Sequence, residues 1–178
     1  SREYKIMLKN KKFKGNEAAL LKAAARFWKD LTHTVGGQVL ASQGQLDQIE
    51  KRRVVQFLDT TKHQLRANSY VFRKRKGVDG KKSQYTLKFR HSDRFISQDR
   101  NMVAASADKT KQKFEEDIKP SFNRNGSYLG GKKRTPSRSG FSSFFSYSTT
   151  ITTQSKLDIR RIVDISELFP DLPARLKG

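Results

Sequence analysis

The chain of 178 residues is about one domain's worth, and only 34% of it is apolar. It carries 38 Lys plus Arg against 17 Asp plus Glu, a net charge of +21, and such a field repels its own chain and attracts polyanions: nucleic acid, anionic lipid or small molecules bearing several phosphates. With no cysteine, disulfides, thiolate zinc sites and cysteine nucleophiles are excluded and the redox compartment is left open, and no apolar run approaches the length of a membrane span.

From Arg2 to Lys9, Tyr4, Ile6 and Leu8 alternate with Glu3, Lys5, Met7 and Lys9, which predicts a first strand. Asn16 is placed to cap a helix in which Leu20, Leu21, Ala24, Phe27, Trp28 and Leu31 recur at helical spacing, ended by Gly36-Gly37. A second strand is predicted from Arg52 to Asp59, and a third from Ser69 to Lys76, where Tyr70 and Phe72 oppose Val71, Arg73 and Arg75. The polar turn Gly77 to Lys82, with Asp79-Gly80 inside it, leads to a fourth strand, "QYTLKFR", from Gln84 to Arg90. Lys113 to Ile118 reads as a fifth strand closed by Pro120, with Lys113, Glu115 and Asp117 on one face. Asn123 to Gly140 is rich in Gly, Ser, Lys and Arg and is expected to be a mobile basic loop. Phe145, Tyr147, Thr149 and Ile151 alternate as a sixth strand, and Ile159, Ile162 and Val163 suggest a short helix before Pro170. The expected class is α+β, a single domain of mostly antiparallel strands with helices packed on the apolar side of the sheet.

Three of these strands place cations on one face: Lys5 and Lys9, Arg73 and Arg75, Lys88 and Arg90. Same-face neighbours two residues apart lie about 7 Å from each other, and at an effective dielectric near 20 each pair repels by roughly 2 kcal/mol. Solvation would screen most of that, so a water-facing sheet surface is the plain account. Two features point past it. The opposite face carries Tyr4, Ile6, Leu8, Tyr70, Phe72, Tyr85, Leu87 and Phe89, and Glu3, Glu115 and Asp117 sit among the cations. Carboxylates beside a polycationic lining suit a divalent metal shared with a bound polyphosphate, although cross-strand salt bridging would also place them there.

The stretches "DTTKHQLRANSYVFRKR" (Asp59 to Arg75) and "TLKFR" (Thr86 to Arg90) resemble the CYTH superfamily, the triphosphate tunnel metalloenzymes. Its members read Asp-Thr, a Leu five residues after the Thr, an Arg-x-Arg strand and then Thr-Leu-Lys-x-Arg, which Asp59, Thr60, Leu65, Arg73, Arg75, Thr86, Leu87, Lys88 and Arg90 match in order. The resemblance implies an antiparallel barrel or tunnel, incomplete or open here because six strands do not close one of eight, with helices packed outside. It further implies metal-dependent hydrolysis of a triphosphate, inorganic or organic. Lys5, Arg73, Arg75, Lys88 and Arg90 would bind phosphate, Glu3, Glu115 and Asp117 would hold Mg²⁺ or Mn²⁺, and Glu3, Lys5 and Glu115 would serve the chemistry. The family's Glu-x-Glu-x-Lys falls on residues 1, 3 and 5, so Ser1 stands where the first Glu belongs, as expected at a truncation boundary or in a member that binds metal weakly. Lys113, Glu115 and Asp117 are similar to the family's fifth-strand Arg-x-Glu-x-Glu.

Two other functions remain open on the sequence. One is a module that binds polyphosphate or a triphosphorylated ligand without efficient turnover. The other is nucleic-acid binding through Lys132, Lys133, Arg134 and Arg138, near Tyr128 and Phe141. His33, His63 and His91 show no metal-ligand spacing.

Overall fold

A computed structural model describes residues 1–5, 8–36, 49–105, 110–122, 136–153 and 162–176, with side chains left undescribed at 120–140, 162–164 and 175. The chain divides into two compact units: Met7–Arg52, and Ser1–Ile6 together with Arg53–Gly178.

In the first unit, a 3-10 turn at Asn10–Lys12 precedes the helix α1, Glu17–Val35. Asn16 caps it as expected, its side-chain oxygen accepting from the Ala19 N–H at 3.0 Å. Arg52 grips the first turn through Glu17, Nη2 to Oε1 at 2.6 Å. Leu21, Ala24, Phe27, Trp28 and Leu31 are half-buried, whereas Leu20 is exposed. Leu8 and Phe13 line a cleft with Ala23 and Phe27.

The second unit is a mixed sheet of six strands: β1 Arg2–Tyr4, β2 Arg53–Leu58, β3 Tyr70–Gly77, β4 Ser83–His91, β5 Thr110–Phe122 and β6 Pro136–Thr153. Their spatial order is β1-β5-β6-β4-β3-β2, and the sheet is not closed: β1 and β2 are its two edges. The strands are mostly antiparallel, as expected, with an exception at one edge, where β1 runs parallel to β5. All other neighbours are antiparallel.

The first strand is shorter than the alternation suggested and stops at Tyr4, although the Lys5 N–H still donates to the Ile118 carbonyl at 2.9 Å. Lys9 therefore belongs to the other unit and not to the sheet, and Ile6 and Met7 lie outside the described residues. Nor does Pro120 close the fifth strand. It pairs with Phe141, and a register irregularity between Pro120 and Phe122 lets β5 continue past a residue that cannot donate to the ladder. β6 begins at Pro136, inside the stretch expected as a loop, while 123–135, with Lys132, Lys133 and Arg134, lies outside the described residues.

Tyr70, Phe72, Tyr85, Leu87, Phe89 and Ile151 line one face of the sheet. Short helices add to that core Leu65 from α2 (Gln64–Ala67), Ile165 from α4 (Ile162–Leu168) and Leu172 from α5 (Leu172–Arg175), whereas α3 (Arg94–Gln98) buries only Ser97. Met102 and Phe169 join them, the Phe169 ring meeting Phe72 edge-on at 6.3 Å. On α3, the Ser97 hydroxyl donates to the Phe145 carbonyl of β6 at 3.0 Å.

The Asp-Thr-x4-Leu part of the sequence pattern has a structural explanation here. Asp59 Oδ1 accepts from the N–H groups of Thr60 and Leu65 at 2.8 and 2.9 Å, and Oδ2 accepts from Arg66 at 3.0 Å. Thr60 Oγ1 accepts from Gln64 at 3.0 Å. Together they hold the turn into α2, whose first residue follows His63 in a left-handed conformation (φ 53°), so that Leu65 enters the core. Asp59→Ala is expected to lower the unfolding free energy by about 2 kcal/mol, because three backbone donors lose their acceptor at once. Urea titration checks this, and an unchanged midpoint would remove Asp59 from the account of the fold.

Candidate functional site

A strand's side chains alternate between faces, so the registers place the other face of the sheet residue by residue. Arg53, Val55 and Phe57 come from β2, and Val71, Arg73 and Arg75 from β3. β4 adds Gln84, Thr86, Lys88 and Arg90. Ser142, Phe144, Ser146, Ser148 and Thr150 follow on β6, then Lys111, Lys113, Glu115, Asp117 and Lys119 on β5, with Glu3 opposite Asp117 on β1. Every residue expected at the site, Glu3, Lys5, Arg73, Arg75, Lys88, Arg90, Glu115 and Asp117, thus lies on this one surface, drawn from four strands.

Its two sides differ in charge balance. Toward β1 and β5, each carboxylate is held by cations. Lys5 Nζ lies 2.5 Å from Asp117 Oδ1 and 3.1 Å from Glu3 Oε2. Lys113 Nζ is 2.9 Å from Glu3 Oε1 and also contacts Glu115, joining the two glutamates. Lys88 Nζ donates to Glu115 Oε2 at 3.2 Å. Glu115 and Asp117 are almost entirely shielded from solvent. Contact with Glu115, then hydrogen bonds from Lys113 and Lys5, hold the Glu3 carboxyl down at about 2. The same bonds to Glu115 and Glu3 push the Lys113 ammonium up. Burial works against the charge on Lys5, but Asp117 and Glu3 outweigh it and leave its pKa raised.

Toward β2 and β3 the balance is absent. Among the described residues no carboxylate pairs with Arg73 or Arg75. Burial, then repulsion from Arg75, lowers the pKa of Arg73, and burial, then repulsion from Arg53, lowers that of Arg75. Arg73 Nε is buried with no hydrogen-bond partner, and so are Nε and Nη2 of Arg90. Arg90 lies over the Phe144 ring at 4.5 Å, and its Nη2 is 3.7 Å from Asp117 Oδ2, too far for a hydrogen bond. The fourth such atom, Tyr85 Oη, is on the helix-covered face. An unsatisfied buried donor costs about 1–3 kcal/mol, so the arginine side of this face is left short of acceptors that an oxyanion would supply.

Between the two sides β6 presents small hydroxyls, Ser146 and Ser148, both buried beneath the longer side chains. Thr86 and Thr150 share a hydrogen bond at 2.9 Å. Arg53, Lys119 and this hydroxyl floor escaped the sequence reading, yet each had a signal. Arg53 continues the alternation through Val55 and Phe57, Lys119 follows Asp117 by two, and the serines of β6 alternate against Phe145 and Tyr147. Burial, then repulsion from Arg90, lowers the pKa of Lys119, which places it in the same cationic group.

Among the described residues no group of three or more His, Asp or Glu side chains converges on one point. Glu3 and Glu115, however, are adjacent hard oxygen donors bridged by one ammonium. Mg²⁺ commonly takes one or two carboxylates and completes its shell with water and phosphate, so this pair fits such an ion when Lys113 yields and a phosphate is present.

Glu3 links the site to acid stability. A carboxyl depressed from 4.5 to about 2 contributes stability that is complete above pH 4.5 and is lost as pH falls through 2. Glu3→Gln is therefore expected to flatten the acid limb of the stability curve in that window, measured by denaturant midpoints from pH 2 to 6. Identical limbs in both proteins would contradict the network.

Comparison with models of known protein families, with curated proteins and with solved structures yields no match for this chain.

Proposed function

We propose that this protein binds a triphosphate or polyphosphate on the cationic sheet face and hydrolyses a phosphoanhydride bond there with Mg²⁺ or Mn²⁺. The observation that carries the reading is the set of buried guanidinium donors on Arg73 and Arg90 that have no hydrogen-bond partner, together with the lack, among the described residues, of any carboxylate paired with Arg73 or Arg75. The six strands are, in this reading, part of a CYTH-like tunnel wall.

Arg73, Arg75, Lys88 and Arg90 would neutralise successive phosphates and hold the chain along the sheet, so that charge developing on the leaving and transferring oxygens meets cations already in place. Lys5 and Lys113 hold Glu3, Glu115 and Asp117 in place until ligand arrives. Glu3 and Glu115 would hold the divalent ion, which when bound supplies Lewis-acid neutralisation of phosphate charge. Water adds to phosphorus as the bridging P–O bond breaks, the departing phosphate keeps the bonding electrons, and the proton that the water loses passes to that phosphate or to solvent.

A second reading, binding without efficient turnover, is favoured by one observation: each carboxylate on the face is already satisfied by Lys or Arg. Phosphate release from tripolyphosphate, followed with Mg²⁺, with Mn²⁺ and after chelation, separates the two. Release that stops on chelation supports hydrolysis as proposed, release that ignores chelation overturns the mechanism, and binding with no release under either metal leaves the binding module. In that scheme nucleic acid competes as a general polyanion, with an affinity falling steeply with salt. No helix among the described residues is long and apolar enough to cross a membrane.

A further inference from the structure

The phosphate-binding face has an apolar rim on one side only. β2 turns Val55 and Phe57 toward it, and both stay open to solvent, Phe57 at 70% and Val55 at 46%. In register, Phe57 stands opposite Arg73 and Val55 opposite Arg75, while Val71, 44% exposed, precedes Arg73 by two on the same face. Directly opposed residues on neighbouring strands have Cβ atoms about 5 Å apart. Arg73, with its buried, unpartnered Nε, is therefore flanked by exposed hydrocarbon, whereas on the β5 side Phe144 lies against Arg90 among lysines, carboxylates and hydroxyls. β2 is also the edge of the sheet, so a group lying over Phe57 can extend past it.

Resting on the triphosphate reading above, we infer that Phe57 is a specificity-determining platform for the planar aromatic group of an organic triphosphate. A symmetric inorganic chain gains nothing from a rim of Phe and Val, because every part of it seeks cations or water. A ligand with a polyanionic end and a flat apolar end matches the asymmetry: phosphates over Arg73, Arg75 and Lys88, ring over Phe57, with Val55 and Val71 closing the sides. Stacking of a base on an exposed aromatic side chain tolerates any ring with a π-face, so the class is aromatic triphosphates at large and not one base.

Isothermal titration in the presence of chelator, with ATP and tripolyphosphate as probes, tests the inference on wild type, Phe57→Ala, Phe57→Leu and Phe57→Trp. Phe57→Ala is expected to weaken ATP about ten-fold and leave tripolyphosphate unchanged, Phe57→Leu to recover little of the loss, and Phe57→Trp to recover it fully. Unchanged tripolyphosphate binding also certifies that the variants are folded. Equal losses for the two ligands, or no loss for ATP, would overturn the platform while sparing the phosphate site. Wild-type protein that binds neither probe would overturn both.

Discussion

Tripolyphosphate is expected to raise the melting temperature of the wild-type protein by about 5–10 °C at a hundred-fold excess over its dissociation constant, and to leave an Arg73→Met/Arg75→Met variant nearly unmoved. A ligand confined to the native state stabilises it by mass action, about 2.7 kcal/mol at that excess, and a chain of this size gains roughly 2–4 °C per kcal/mol. Methionine keeps the packing of the aliphatic stems and removes only the charge. Among the described residues neither arginine has an ion pair to lose, and each is repelled by a neighbouring arginine, so the unliganded variant should melt no lower than wild type. A residue pair whose loss spares stability and removes ligand stabilisation is there for the ligand. Sulfate at equal ionic strength is the control, since screening alone would lift both proteins alike. Equal shifts with sulfate and tripolyphosphate, or an undiminished shift in the variant, would reject the site.

Glu3→Gln is expected to cut metal-dependent phosphate release on the order of a hundred-fold, the usual scale for losing one group that acts on charge in the transition state, while tripolyphosphate binding without metal is kept or tightened. The split follows from position. Glu3 lies on the carboxylate side, joined to Glu115 through Lys113, and not among the arginines, so neutralising it removes a metal ligand and a repulsive charge together. Lys113→Met should separate these effects by freeing the glutamate pair, raising Mg²⁺ affinity with no change in the ligands themselves. Titration with Mg²⁺ beside the kinetics checks both. A Glu3→Gln protein that turns over normally would take Glu3 out of the chemistry, and one that fails to bind tripolyphosphate would make it a structural anchor.

Alternation along a strand is a local property, fixed by the pleat with its period of two, and for that reason much of the site could be read from the sequence alone. Lys88 and Arg90 against Leu87 and Phe89, Arg73 and Arg75 against Phe72, and Glu115 and Asp117 on a common face are all visible in the order of residues. The cap at Asn16 was equally legible, being completed within three residues. Composition likewise determined the net charge of +21 and, with it, a field that attracts polyanions. Strand order and register are different, because they depend on pairings between distant parts of the chain that compete on total burial and hydrogen bonding. Only the tertiary structure set β1 beside β5 and in parallel, bringing Lys5 to Asp117 across 112 residues of sequence. It carried β5 through Pro120 on a shifted register, ended the first strand before Lys9, and put the serines of β6 beneath the cations. Among the described residues it also left Arg73 and Arg75 with no paired carboxylate, while Lys88 pairs with one and Lys5 and Lys113 with two each. Residue order can place a charge on a face, but which charge stands across from it is settled by the neighbouring strand.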